Sequence, residues 1–466
     1  MSALDRLREM VAVSGPKVIT AAHPAAASAG ASAYAAGGNA FDAALAACFM
    51  ETVVLPMKAG LFGDLVALFR TPGGAWTTLV SVGAGPQALA RGATLERVGP
   101  RSVGVPGGPQ GYATLHRHAR LKLAQLVTPA VRASIAGVPW TRVARSYVVE
   151  AAETLARLSP NNPYTPGGRI PAVGEIRRLP QLGTLLEAFA RDREDLWSGE
   201  RGERVIAELT RRGGILTAQD LRQRPAQERA PVRAQVAEGA YLTVTPEPTQ
   251  GPRLIEVVRA HCASGQPLPA LVRADRKAAQ ARGRLASDEG TSVVTAADDE
   301  GNAVVILHSN SFPQFASGIV LDSGLILNNR PGRGFDLAAP AEAANAPKAG
   351  RVPPTTLHAW CLERGDRTLI GATPGGVNQL PWNAQTVSGL IVDPQPALAV
   401  TSPRWSLDAS DVLGVEDGAP IGDVPVDKPL PPLSVRSAQQ IIELSDTVLH
   451  TAAADPRSGC LALSVF

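Results

Sequence analysis

The chain has 466 residues, enough to bury a large core, and length alone sets a prior of about three domains. Its formal net charge of +3 arises from 45 basic and 42 acidic residues that are interspersed, so there is no basic stripe of the kind nucleic-acid binding needs. Cys48, Cys262, Cys361 and Cys460 are scattered without a C-x-x-C spacing. That spacing argues against a disulfide framework or a zinc site and reads as buried free thiols in a reducing compartment; no metal or other cofactor is expected.

Met1 to Arg8 shows no apolar segment behind a basic start, and no run of eighteen apolar residues follows. The expectation is a cytoplasmic protein without a membrane span. Pro24 stands where a helix can begin, and the Ala-rich stretch to Ala36 ends at Gly37-Gly38-Asn39. Ala40 to Val54 is apolar on nearly every side, the pattern of a fully buried helix. Ser159 to Arg169 is a Pro/Gly/Asn-rich loop, and Leu182 to Asp195 an amphipathic helix. Ala270 to Gly290 is polar and rich in Arg and Ala. Leu357–Leu362, Arg367–Ala372 and Leu398–Thr401 are short apolar runs between turns, read as strands. Asp417 to Pro432 reads as a connection and Ala438 to His450 as a closing helix.

The residues that carry chemistry begin at Asp288-Glu289-Gly290-Thr291-Ser292-Val293-Val294. A glycine delivers the chain to a threonine that opens a β-branched strand. The acidic turn Asp298-Asp299-Glu300-Gly301 then sends a second apolar strand back, giving a hairpin. A threonine hydroxyl at the head of a strand is a poor nucleophile because it has no base. Cutting the preceding peptide bond supplies one, since the freed α-amine, with a pKa of about 8, can take the hydroxyl proton.

In this setting the chain resembles the γ-glutamyltransferase family of N-terminal-nucleophile hydrolases. The resemblance rests on ordered blocks: Ala21-Ala22-His23-Pro24 continuing through Gly37-Gly38-Asn39 to Ala44, Ser102 to Gly107 with Gly111, and Gly213 to Thr217 with Asp220-Leu221. The Thr291 hairpin follows, then Ser317 to Val320, Gly324 to Asn329, and Pro374-Gly375-Gly376. It implies an α+β fold, a four-layer αββα sandwich with one fused core. It also implies self-cleavage between Gly290 and Thr291, giving pieces 1–290 and 291–466 that stay together as a heterodimer. By the same resemblance Thr291 is the nucleophile and Gly290 the residue on the acyl side of the cut. Ser309 is a hydroxyl that hydrogen-bonds the nucleophile, with Asn310 beside it. Gly375 and Gly376 offer backbone amides to an oxyanion, and Thr355-Thr356 is a paired-hydroxyl block lining the substrate pocket.

Two departures bear on the substrate. Val82 stands where the family has an arginine for the α-carboxylate of the glutamyl group. The run Asn328-Asn329-Arg330-Pro331-Gly332-Arg333 lacks the acid that holds the α-amine. Losing charge-assisted contacts typically costs a few kcal/mol, so glutamyl recognition in the family's manner is not expected. A single loop arginine reads first as a solvated charge; if Arg330 or Arg333 faces the pocket, the site favours a carboxylate. Lys58 and Asp64, in an altered glycine loop, read equally as pocket or packing residues. His308 lacks a third partner for a serine-type dyad and reads as a pocket or core histidine.

The expected function is a self-processed threonine hydrolase or acyltransferase acting on a small molecule other than a γ-glutamyl compound, plausible in antibiotic biosynthesis. The alternatives are a C–C bond hydrolase releasing oxalate from a keto-acid precursor of a 4-alkyl-proline pathway, a γ-glutamyl enzyme with altered recognition, and a non-catalytic binding relative.

Overall fold

Two seven-stranded antiparallel sheets lie face to face in the computed structural model, which describes residues 7, 9–281, 290–408, 410–445 and 449–466. The Asp288-Glu289 approach to the hairpin, the end of the Ala270 to Gly290 segment and most of Met1 to Arg8 lie outside the described residues. One sheet runs in the order Leu461–Val465, Lys17–Ala21, Thr291–Ala297, Ala303–Ser309, Asp64–Arg70, Thr77–Ser81, Ala226–Arg229. The other runs Ala12–Gly15, His450–Ala454, Gln440–Leu444, Arg367–Ala372, Trp360–Arg364, Ala240–Val244, Val232–Ala237. Each sheet takes strands from both sides of Gly290, so the chain folds around one shared core instead of dividing into the domains its length suggested.

Side-chain alternation explains the layers. Val66, Leu68, Val293, Val305 and Leu307 point between the sheets against Ile370, Ala372 and Ile442. Each fully buried side chain of this kind is worth roughly 1.5–3 kcal/mol. The intervening residues Leu65, Ala67, Val294 and Ile306 face outward, onto the helices Pro24–Ala35 and Ala40–Val54. The second sheet is covered by Gly251–Ser264, Leu268–Ala281 and Gln379–Val392, through Leu254, Val258, Val272, Leu380 and Val387. The result is the αββα sandwich. No helix among the described residues is long and apolar enough to cross a membrane.

Helix Ala40–Val54 is buried along its whole length, as its composition requires. Its start is set by a reciprocal cap, in which Asn39 Oδ1 accepts from Asp42 N and Asp42 Oδ2 accepts from Asn39 N at 2.8 Å. The hairpin turn is tied to this helix: Asp298 accepts from the Ala40, Glu300 and Asn302 amides.

Several expectations are corrected. Residues Pro396–Thr401 form a short helix, with Pro396 at its first position, not a strand. Ala438 to His450 is not a closing helix: Gln440–Leu444 and His450–Ala454 pair as antiparallel strands inside the second sheet. Short apolar runs do not separate helix from strand by periodicity, and here the sheet decides. Gln440 shows why, since its side chain ties the sheets together, accepting from Thr20 Oγ1 at 2.7 Å and donating to the Val293 carbonyl at 2.7 Å. The expected helix Leu182 to Asp195 starts at Pro180 and ends at Asp192, with a 3₁₀ turn over Arg193–Asp195. Within the Asp417 to Pro432 connection, Lys428–Leu430 forms a short strand parallel to Leu413–Glu416. Cys262 is exposed, unlike the buried Cys48 and Cys361.

Candidate active site

Thr291 opens a central strand and is paired in register with Ser309. Ser309 is in turn opposite Asp64 on the next strand. Directly opposed residues project to the same face, so Thr291, Ser309 and Asp64 form a row pointing between the sheets. The neighbouring pair Leu65–Ser81 continues that register to Val82, which is buried in the layer between the sheets. The loop that leaves the strand Arg367–Ala372 of the other sheet carries Gly375 and Gly376 and leads into the helix Gln379–Val392.

The contacts around the Gly290–Thr291 peptide are specific. Thr291 Oγ1 donates to Ser309 Oγ at 3.3 Å, and Ser309 Oγ donates to the Gly290 carbonyl oxygen at 2.8 Å. Ser309 Oγ also accepts from the Ser311 amide at 3.0 Å. One hydroxyl therefore joins Thr291 Oγ1 to the Gly290 carbonyl. Thr291 has none of its surface exposed, so it does not present the floor of an open pocket. The side-chain amide Nε2 of Gln379 lies 3.5 Å from Thr291 Oγ1 and donates to Thr356 Oγ1 at 3.1 Å.

Both glycines of the 375–376 loop have backbone that other residues avoid, with φ of +133° and +55°. A β-carbon on Gly375 would also lie 2.1 Å from the Trp382 ring. Thr355 and Thr356 are fully buried. Thr355 lines a cavity of about 630 Å³ with Gln250, Arg253, Asn345 and Arg351, whereas Thr356 faces Gln379. His358 holds Thr356 from behind: Nδ1 donates to the Thr356 carbonyl at 2.7 Å, and Nε2 accepts from Asn383 at 2.8 Å. Burial pushes its pKa down to about 4, so the ring is neutral, as those two roles require.

Asn310 is fully buried. Its amide donates to the Lys58 carbonyl and its side chain to the Pro56 carbonyl, bracing the loop before Asp64. Arg330 is not a solvated loop charge. It is fully buried, and its Nε donates to Asp64 Oδ2 at 2.6 Å, with Asp64 equally buried. Arg333 is partly buried, with its guanidinium over the Phe312 ring at 4.9 Å. Lys58 is a packing residue, 5.0 Å from the centre of the Tyr147 ring. His308 has two strong partners, Glu51 Oε2 at 2.6 Å and Tyr112 Oη at 2.7 Å, but it alternates with Ser309 and so faces the helices, away from Thr291. Sequence reasoning missed Gln379 and Ser311. Nothing in their residue types marks them, because each reaches the site through a turn of the backbone.

A hydroxyl at the head of a central strand, inside an αββα sandwich, places the molecule among the N-terminal-nucleophile hydrolase folds. The family described as gamma-glutamyltranspeptidase matches residues 26–262 and 263–427. The chain belongs to the gamma-glutamyltranspeptidase family. Glutathione hydrolase 2 of Arabidopsis thaliana is 26% identical over 239 residues, which cover 50% of this chain and 41% of that protein. The acylase ACY 1 proenzyme of Pseudomonas sp. (strain V22) is 28% identical over 236 residues, 45% of this chain and 41% of that protein. The chain thus spans about two fifths of the length of these two relatives. The glutathione hydrolase-like YwrD proenzyme of Bacillus subtilis aligns more fully, at 24% identity over 435 residues, 79% of this chain and 81% of that protein. Among solved structures, the cephalosporin acylase from Bacillus halodurans superposes with a TM-score of 0.82 at 23% identity, covering 98% of this chain and 97% of that one. The structure of LmbA2991HD gives a TM-score of 0.82 at 22% identity, covering 97% and 98%. At these identities the structural likeness is one of fold.

Proposed function

We propose that this protein is a self-processing threonine hydrolase or acyltransferase whose acyl substrate is a small molecule other than a γ-glutamyl compound. The observation that carries the reading is the single hydroxyl of Ser309, placed between Thr291 Oγ1 and the Gly290 carbonyl oxygen. In the processing step Thr291 Oγ bonds to the Gly290 carbonyl carbon. Its proton passes to Ser309, and the Ser309 proton passes to the former carbonyl oxygen, giving a neutral tetrahedral centre. Collapse breaks the C–N bond, returns a proton to nitrogen and leaves Gly290 as an ester on Oγ. That cleavage frees the Thr291 amine as base for later turnovers, and water then hydrolyses the ester to release the Thr291 hydroxyl. The interleaving of strands from both sides of the cut keeps pieces 1–290 and 291–466 together as a heterodimer.

The reading of the substrate rests on the row beyond Ser309. By the family resemblance, Val82 is aliphatic where an arginine is expected, and Arg330, bound to Asp64, lies in the run where an acid is expected. A buried ion pair in that position gives no free carboxylate for an α-ammonium group. The likeness to the YwrD and ACY 1 proenzymes supports amide hydrolysis as the ordinary outcome.

Denaturing electrophoresis and intact-mass measurement test the processing. Wild type should give two pieces divided between Gly290 and Thr291, and Thr291→Ala one band; a wild type that stays full length removes the proposal. Efficient transfer from a γ-glutamyl anilide to a dipeptide would overturn the substrate reading while leaving the processing intact.

A further inference from the structure

Resting on that reading of Thr291, we propose that Gln379 is a catalytic residue, the side-chain donor that receives charge on Thr291 Oγ when the acyl-enzyme ester breaks. Gln379 is fully buried and opens the fourteen-residue helix Gln379–Val392, so the positive end of the helix stands behind it. The first turn of that helix touches both halves of the site, since Trp382 packs on Gly375 and Gln379 reaches Thr291.

The hydrogen-bond network sets which end of the amide faces the nucleophile. The one proton of Ser309 goes to the Gly290 carbonyl, so Thr291 is the donor in the Thr291–Ser309 contact. Thr291 Oγ1 is then left with a lone pair to accept, and the matching group on Gln379 is its N–H. Thr356 Oγ1 at 3.1 Å holds the same nitrogen. A separation of 3.5 Å from Oγ1 is long for a hydrogen bond in the uncut chain, and such contacts shorten when charge develops on the acceptor. A second observation points the same way. Gln379 Oε1 is buried with no hydrogen-bond partner, an acceptor left open in a site that gains donors once the amine of Thr291 is freed and water enters.

In deacylation, water bonds to the ester carbonyl carbon and gives a proton to the Thr291 amine. The tetrahedral centre collapses by breaking the C–Oγ bond, the electron pair goes to Oγ, and the amine returns the proton to it. The products are a carboxylic acid and the free threonine hydroxyl. A donor on Oγ lowers the barrier to that departure, and its loss slows the step on the order of 10²-fold, as for other preorganised donors.

The test uses p-nitrophenyl acetate with the full-length self-processed protein and the Gln379→Met variant, which keeps the volume and removes the amide. The expected result is a p-nitrophenol burst of one equivalent followed by a rate about 10²-fold below wild type. Intact mass should show an acetyl group accumulating on the piece that begins at Thr291. A Gln379→Met chain that melts like wild type and runs full length, but is split at Gly290 by hydroxylamine, also supports the proposal, because it holds the ester of the last processing step; a full-length chain that hydroxylamine leaves intact overturns it. If that variant does not fold, Gln379→Leu, which also removes the amide donor, gives the same readout. Unchanged turnover, or slower turnover without acetyl accumulation, overturns the role of Gln379. A wild type that never acquires acetyl at Thr291 under any quench overturns instead the reading of Thr291 on which this rests.

Discussion

Gly290 and Ser311 are in such close approach that a β-carbon on residue 290 would lie 1.8 Å from the Ser311 carbonyl oxygen. Ser311 itself is held at a φ of +79°, and its amide is bound to Ser309 Oγ. The strand end carrying Ser309 therefore curls back over the Gly290–Thr291 peptide, and only glycine fits beneath it.

This contact sets the first prediction. Gly290→Ala should force the 309–311 turn aside, at a cost of about 1–3 kcal/mol for overpacking. It should also slow self-cleavage, because the carbonyl leaves the Ser309 hydroxyl. Thermal melting and a timed denaturing gel measure the two effects together; cleavage at the wild-type rate would show that the close approach has no part in processing.

Ser309→Ala removes the donor to the Gly290 carbonyl and the acceptor for Thr291. Processing should slow on the order of 10²–10³-fold, the usual loss for one oxyanion donor, whereas Ser309→Thr should retain much of the rate. Thr291→Ser should likewise keep partial cleavage and turnover, since serine supplies both an Oγ and, once freed, an α-amine.

The Arg330–Asp64 pair is buried on both sides. Arg330→Met leaves Asp64 without its cation, and breaking such a pair typically costs about 3–5 kcal/mol. The double variant Arg330→Met with Asp64→Asn should recover part of that loss. Urea unfolding of the two single variants and the double checks it. Additive losses would mean that the two side chains do not depend on each other.

His358 gives a pH dependence of defined sign. Its pKa is lowered by burial to about 4, below its ordinary value near 6.5. Between those values the unfolded chain takes up a proton that the folded chain refuses. The contribution is therefore fully present above about pH 6.5 and is lost as pH falls toward about 4. His358→Gln should flatten this part of the stability profile in urea titrations. An unchanged slope would place the ring's titration outside that window.

Much of the site was legible because its chemistry is local. The glycine–threonine junction, the hairpin and the double glycine each consist of neighbouring residues, and the structure keeps them adjacent. Gln379 and Ser311 were not legible, since a glutamine three residues past a glycine pair carries no signal until a helix start turns it toward another strand. Arg330 read as a solvated loop charge because the carboxylate that neutralises it is Asp64, 266 positions away. The run near Ala438 read as helix because its apolar spacing fits either period, and only pairing with Arg367–Ala372 and His450–Ala454 makes it a strand.

By itself the sequence determined the hairpin led by Thr291, the buried helix Ala40–Val54, the glycine pair at 375–376 and the family blocks that order them. These depend on short-range patterns: periodicity, capping, and backbone that glycine alone adopts readily. The tertiary structure decided which groups meet: Ser309 between Thr291 and the Gly290 carbonyl, Gln379 on Thr291, Asp64 on Arg330, His308 turned away to Glu51. Those pairings follow from strand register and from the stacking of two sheets, where moving one strand by a single residue would send every side chain to the opposite face. Register is set by the whole core at once, and no local run of residues encodes it.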